Sequence, residues 1–247
     1  DFGQGWRKAL NWPGVGPKGS EDGLGHVDIR QLYPGSPRPL RWNILQVPKR
    51  IEPGRYRSMV AELFANAGRM GARQLGFMRR ALTELYYEAG VLTGDPKLQN
   101  GPLGHLQDER EVQLIQNERQ SSGESLNEPH PGTLLETLSP TELQALAVYR
   151  SRKLDVSKWV DRLRTYKDKL ERDQVSRTSL EGVLLRLEQF SEGHMARQYG
   201  PSASGTGVED LGLMGSPENP WGIIVIEGGA EMDEYSKAAL LSLLASI

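Results

Sequence analysis

Cysteine is absent from the chain. That excludes disulfides, thiolate metal sites and cysteine nucleophiles, and it fits a cytoplasmic protein. Histidine is scarce. His26, His105, His130 and His194 are scattered, and none stands four residues from another, so a His-based zinc site is not expected. Long apolar runs are missing: the longest of β type is Ile223-Ile224-Val225-Ile226, far below the roughly 18 residues a membrane span needs. No signal-peptide pattern is visible. Excess charge is missing too. Lys+Arg 30 against Asp+Glu 32 leaves −2, so any contact with nucleic acid has to come from a local patch.

Catalytic signatures are equally thin. Asp1-Phe2-Gly3 spells the kinase metal-binding triplet, but no His-Arg-Asp loop and no Gly-rich loop over a Val-Ala-Ile-Lys strand accompany it. Gly14, Gly16 and Gly19 form G-x-G-x-x-G. Pro13 precedes them and no helical period follows, so they read as a loop and not as a dinucleotide fingerprint. No phosphate loop and no G-x-S-x-G elbow occurs.

What is present is a 247-residue chain with 37% hydrophobic residues. That is enough for a core, in one large or two small domains at roughly 150 residues each. Val27 to Leu32 alternates apolar and polar, as a half-buried strand does, and Leu40 to Ile44 repeats this more weakly between Pro39 and Pro48. From Pro53 the period becomes helical. Tyr56, Met59, Val60, Leu63, Phe64 and Ala67 share a face, and Leu75, Met78, Leu82, Leu85 and Ala89 form another after Gly68-Arg69-Met70-Gly71. Residues 91–138 are polar without a lasting period and read as a mobile insertion, with a charged helix inside Leu106 to Gln120. Ser139-Pro140-Thr141-Glu142 and Thr178 to Glu181 each match a capping box. Trp221 to Ile226 reads as a buried parallel strand, and Asp233 as the cap of a last helix facing inward with Ala239, Leu240, Leu243, Leu244 and Ile247.

The order of these pieces resembles the interior of a HerA/FtsK-type ATPase, close to those of conjugative DNA transfer. Asp1-Phe2-Gly3-Gln4-Gly5 resembles the acidic end of the strand after the phosphate-loop helix. Leu40 to Pro48 resembles the segment before that family's helical insertion, although Ile44 stands where the family has Pro. Leu180 to Gly200 resembles a helix of the insertion, and Trp221 to Ile247 the strand and helix that follow.

The resemblance implies an α/β fold: part of a RecA-like P-loop parallel sheet with a large, mostly helical insertion. Residues 1–52 and 206–247 would belong to the sheet and residues 53–205 to the insertion. It implies a ring-forming homo-oligomer that uses ATP and Mg2+ to translocate or remodel DNA in the cytoplasm. Both nucleotide motifs would lie outside these residues, which agrees with reading the chain as a piece cut at both ends. Asp1 and Glu227 are the nucleotide-proximal candidates, with Glu227 at the end of a buried strand as the catalytic candidate. The plainer reading of Glu227 is a side chain turned outward at Gly228-Gly229. Arg69 and Arg73 are candidates for a phosphate or a neighbouring subunit, against a plain turn with solvated arginines. The rival class is a non-enzymatic helical module that binds a partner protein.

Overall fold

The computed structural model describes residues 27–32, 39–122, 128–170, 173–201, 223–227 and 232–246. Its elements run β1 (Val27–Gln31), α1 (Pro53–Ala67), α2 (Ala72–Glu88), α3 (Pro96–Gln99), α4 (Glu109–Ser122), α5 (Pro140–Ser151), α6 (Val156–Lys169), α7 (Gln174–Ser191), α8 (Gly193–Tyr199), β2 (Ile223–Glu227) and α9 (Glu234–Ala245). A 3-10 turn, Leu135–Thr137, precedes α5.

Local chemistry explains where the helices begin. Pro53 occupies the first turn of α1, where its missing N–H costs nothing. The Glu52 carboxylate accepts from the amides of Gly54 and Arg55 at 2.7 and 2.6 Å. At α5 the Ser139 box closes in both directions: Ser139 Oγ accepts from the Glu142 amide, and Glu142 Oε2 accepts from the Ser139 amide at 2.7 Å. Asp233 caps α9 through the Ser236 amide at 3.0 Å. The second box expected from sequence, at Thr178, does not form. Asp173 caps first, accepting from the Ser176 amide at 3.0 Å, and α7 is already under way at Gln174. Thr178 therefore lies inside the helix and donates its hydroxyl to the Gln174 carbonyl.

The helices share one large core. α1 buries Tyr56, Val60, Ala61, Phe64 and Ala65, and α2 buries Met78, Ala81, Leu82, Leu85 and Tyr86. Phe64 stands edge-on to Trp159, Phe190 and Tyr235 at centroid distances of 6.0, 5.2 and 6.3 Å, a favoured aromatic arrangement. It thereby joins α1 to α6, α7 and α9. The Trp159 indole N–H donates to the Met78 carbonyl at 3.1 Å, so this buried ring leaves no donor unmet.

Residues 91–138, polar on average, hold a second core. Leu98, Leu106, Val112, Ile115, Leu135 and Leu138 pack with Leu146 of α5. The apolar residues are too widely spaced for a helical period because several of them sit on loops that converge only in space.

The α/β expectation needs correcting. The described residues do not form a P-loop parallel sheet; they form a helical body. Among them the only strands are β1 and β2, five residues each, in parallel register from Val27↔Ile223 to Gln31↔Glu227. A RecA-like sheet needs several parallel strands covered on both faces. Leu40 to Ile44, which alternates like a strand, makes one bridge (Gln31↔Pro39) and then leaves the ladder. The amides of Trp42 and Ile44 donate instead to the carbonyls of Gln198 and Tyr199, each at 3.2 Å. The last carbonyls of α8 need donors from outside the helix, and this segment supplies them.

Candidate functional site

Open α/β sheets hold ligands beyond the carboxyl ends of their strands. Here that end is Gln31 opposite Glu227. It is tied down by α8. Gln198, buried, donates its side-chain amide to the carbonyls of Leu32 and Leu40 at 2.8 and 2.9 Å and to the Tyr199 hydroxyl at 2.8 Å. The Tyr199 hydroxyl donates to the Leu32 carbonyl. Burial pushes the Tyr199 hydroxyl far above the usual tyrosine range, so it stays a donor.

The chain then enters an irregular buried segment, Trp42 to Pro48. Buried backbone outside helix and sheet must find its hydrogen bonds elsewhere, and side chains from distant helices provide them. The hydroxyls of Tyr56 and Tyr86 donate to the carbonyls of Ile44 and Leu45 at 2.9 and 2.8 Å. Ser151 Oγ accepts from the Val47 amide at 3.0 Å. Gln144 donates to the carbonyls of Pro48 and Ile51, both at 2.8 Å. In return Asn43 donates to the carbonyls of Arg152 and Leu154 at 3.1 and 2.9 Å. The segment so joins the strand end to α5 and to the loop before α6.

The residues singled out from sequence do not converge on one visible site. Asp1 lies outside the described residues, as do the Gly14–Gly19 loop and Trp221. Glu227 is placed by its backbone at the end of β2, but its side chain lies outside the described residues. Arg69 and Arg73 do share one turn: Arg69 is exposed, at φ 50° in the left-handed region, and Arg73 is exposed in the first turn of α2. The carboxyl of Asp173 sits below its ordinary value, chiefly through the Ser176 hydroxyl and amide, with a smaller contribution from the Arg73 charge.

The sequence has no lysine-bearing phosphate loop. Among the described residues no three His, Cys, Asp or Glu side chains come together as metal donors. No helix among them is long and apolar enough to cross a membrane.

Two buried ion pairs escaped the sequence reading. The Arg150 guanidinium holds Glu111 from Nε and Nη2 at 2.7 and 2.8 Å, and Arg119 Nε meets Glu142 at 2.5 Å. Both link α4 to α5. Partners 39 and 23 residues apart lie beyond any local pattern, and only the surplus of charge in a stretch that must pack hints at them.

No protein-family model matches this chain, and no match was found among curated proteins or solved structures.

Proposed function

We propose that this chain is the helical part of a ring-forming, ATP-driven motor of the HerA/FtsK kind that translocates or remodels DNA. The observation that supports the reading is the parallel pairing of Val27–Gln31 with Ile223–Glu227 across α1–α8. In this reading ATP and Mg2+ are held by segments other than the described residues. Asp1 and Glu227 remain the nucleotide-proximal candidates of this reading. Arg69 and Arg73, exposed in their turn, reach a phosphate or a neighbouring subunit.

The test has two parts. The coding sequence shortly before Asp1 should contain G-x-x-x-x-G-K-[ST], and the complete product should hydrolyse ATP faster with DNA. The 247-residue chain alone should release no phosphate above blank. A complete coding sequence without that loop, or hydrolysis by the chain alone, overturns the reading.

A second reading is a non-enzymatic helical module that docks a partner protein. Val175 and Leu185 favour it, being 65% and 76% exposed on α7. It gains if the coding sequence lacks a phosphate loop and Leu185→Ser abolishes capture of that partner.

A further inference from the structure

The charges of this chain nearly cancel in sum but not in place. Residues 100–142 hold eight acids against two cations, a net of −6, whereas residues 68–83 hold four arginines and no acid. Pairing does not erase the difference. In the acidic stretch Glu111 and Glu142 are held by Arg150 and Arg119, and Asp108 accepts from the Arg110 and Glu111 amides. Glu109, Glu128 and Glu136 are exposed and Glu118 is half-buried. Among the described residues none of these four meets a cation.

In the basic stretch Arg79 meets Glu62 and Arg80 meets Glu84. Arg69 and Arg73 stay exposed around the turn from α1 to α2. A third cation joins them from α7. An added Cβ on Gly68 would lie 3.0 Å from Arg186 Cδ, and the half-buried Arg186 guanidinium donates to the Gly182 carbonyl of its own helix at 2.9 Å. Among the described residues no carboxylate forms an ion pair with Arg69, Arg73 or Arg186. The acids of the helices packed beside them are engaged. Asp173 caps α7 and Asp233 caps α9. Glu181 meets Lys167, Glu188 meets Arg164, and Glu234 meets Lys237.

α2 holds the two patches apart. The basic turn lies at its start, while Tyr87 at its other end packs on the second core, whose loops carry the acids. Its 17 residues span about 25 Å, about three times the roughly 8 Å over which charges act at physiological salt. One chain therefore cannot bring its own patches together. Each gathers like charge that only another molecule neutralises, and a second copy presents the opposite patch on the same scale.

We propose that the basic turn, with Arg69, Arg73 and Arg186, docks on the acidic lobe of a second copy of this chain, against Glu109, Glu118, Glu128 and Glu136. The contact rests on the reading of Arg69 and Arg73 as a subunit contact and deepens it by naming what they meet. Two unlike patches that meet in this way suit a ring. Complementary charge of this kind selects the partner and fixes its register.

The experiment is analytical ultracentrifugation of the 247-residue chain at low and high salt. At about 0.01 M salt, where charges act over roughly 30 Å, the average mass should at least double; at about 1 M it should return to that of the monomer. Arg69→Glu with Arg73→Glu should stay monomeric at low salt, and so should Glu128→Lys with Glu136→Lys. An equimolar mixture of these two variants should associate again, because unlike charges then face each other in both contacts. Lys153→Glu with Lys158→Glu shifts the net charge as much as the first variant and should associate like the unaltered chain. Circular dichroism checks the fold. Should a reversal unfold, Arg69→Asn with Arg73→Gln removes the charge while keeping a residue suited to the left-handed turn, and must itself abolish association. An unaltered chain that is monomeric at low salt overturns the proposal. So does association unmoved by 1 M salt, an equal loss in the control, or a mixture that fails to recover. Association that needs added duplex DNA assigns the turn to phosphate and overturns it too. The motor reading fails separately, by the missing phosphate loop, so a monomeric chain beside an intact phosphate loop sinks the contact alone.

Discussion

Arg150 and Glu111 form a closed buried unit in which every guanidinium donor is used. Two N–H groups go to the Glu111 carboxylate; the others reach the carbonyls of Gly90 and Leu103 from Nη1 at 3.1 and 3.2 Å and of His105 from Nη2 at 3.0 Å. Arginine carries five such donors and no acceptor. The carboxylate accepts once more, from the Gln107 amide at 2.8 Å. One pair therefore orders two loops and fastens α4 to α5.

Breaking that pair from one side should cost far more than removing it whole. Glu111→Ala leaves a buried guanidinium charge unpaired and is expected to lower stability by about 3–5 kcal/mol. The double variant Glu111→Leu, Arg150→Met should lose much less. Urea unfolding of the two single variants and the double variant reads the coupling; a loss in the double variant equal to the sum of the two single losses would show that the pair contributes nothing of its own.

Gly90→Ala tests the same unit from the backbone. Gly90 has φ +68°, where a side chain is strained, and an added Cβ would lie 2.8 Å from Arg150 Nη1. The substitution should destabilise by about 1–3 kcal/mol, with the conformational strain and the displaced guanidinium acting together. Thermal unfolding measures it. A stability gain would mean that the turn relaxes freely.

Acid should weaken the fold through Glu142. Burial opposes its ionisation most strongly, but the hydrogen bonds from Arg119 and from the Ser139 amide, with the Arg119 charge, outweigh burial and hold the carboxyl below its ordinary 4.5. A carboxyl lowered on folding contributes stability that is complete above its unfolded value and lost as pH falls through its folded one. Stability measured by urea midpoint should therefore decline below about pH 4.5, and Glu142→Gln should flatten that part of the curve. An identical acid limb in the variant would assign the effect to other carboxyls.

Tyr199→Phe removes the donor that closes the Leu32 carbonyl and a partner of Gln198. Gln198 still donates to the Leu32 carbonyl, so the loss is that of the net hydrogen bonds, about 0.5–1.5 kcal/mol each. Because both contacts anchor the end of β1, hydrogen exchange at Val27–Gln31 should accelerate more than exchange in α5. Uniform acceleration would place Tyr199 in the global core instead.

A core truncation sets the scale for these effects. Trp159→Ala empties the volume that Phe64 packs against and removes the indole bond to the Met78 carbonyl, with an expected loss of about 3–5 kcal/mol by denaturant unfolding. A loss below that of Tyr199→Phe would mean that the cluster repacks.

Much of this was written in local patterns. Pro53, the Ser139 box, Asp233 and the faces of α1 and α2 are legible because a helix start or stripe depends on residues within four positions of one another. Thr178 misled for the same reason. Its box is locally sound, and a cap five residues upstream pre-empted it. Leu40 to Ile44 alternates like a strand, yet its amides go to α8, which no period reveals. The second core drew on Leu98, Ile115 and Leu135, too far apart to register as a face. Of the residues singled out as a site, Arg69 and Arg73 are plain in the sequence as a basic turn. The meeting of Glu111 with Arg150 is not, since the two lie 39 residues apart.

The sequence by itself determined the helix starts, the apolar faces and the absence of thiol chemistry, because these follow from residue types at short spacing. The tertiary structure alone decided which charges are buried in pairs and which remain outside. Burial is a property of neighbours in space, and Asn43, Gln198 and Arg150 find theirs far along the chain.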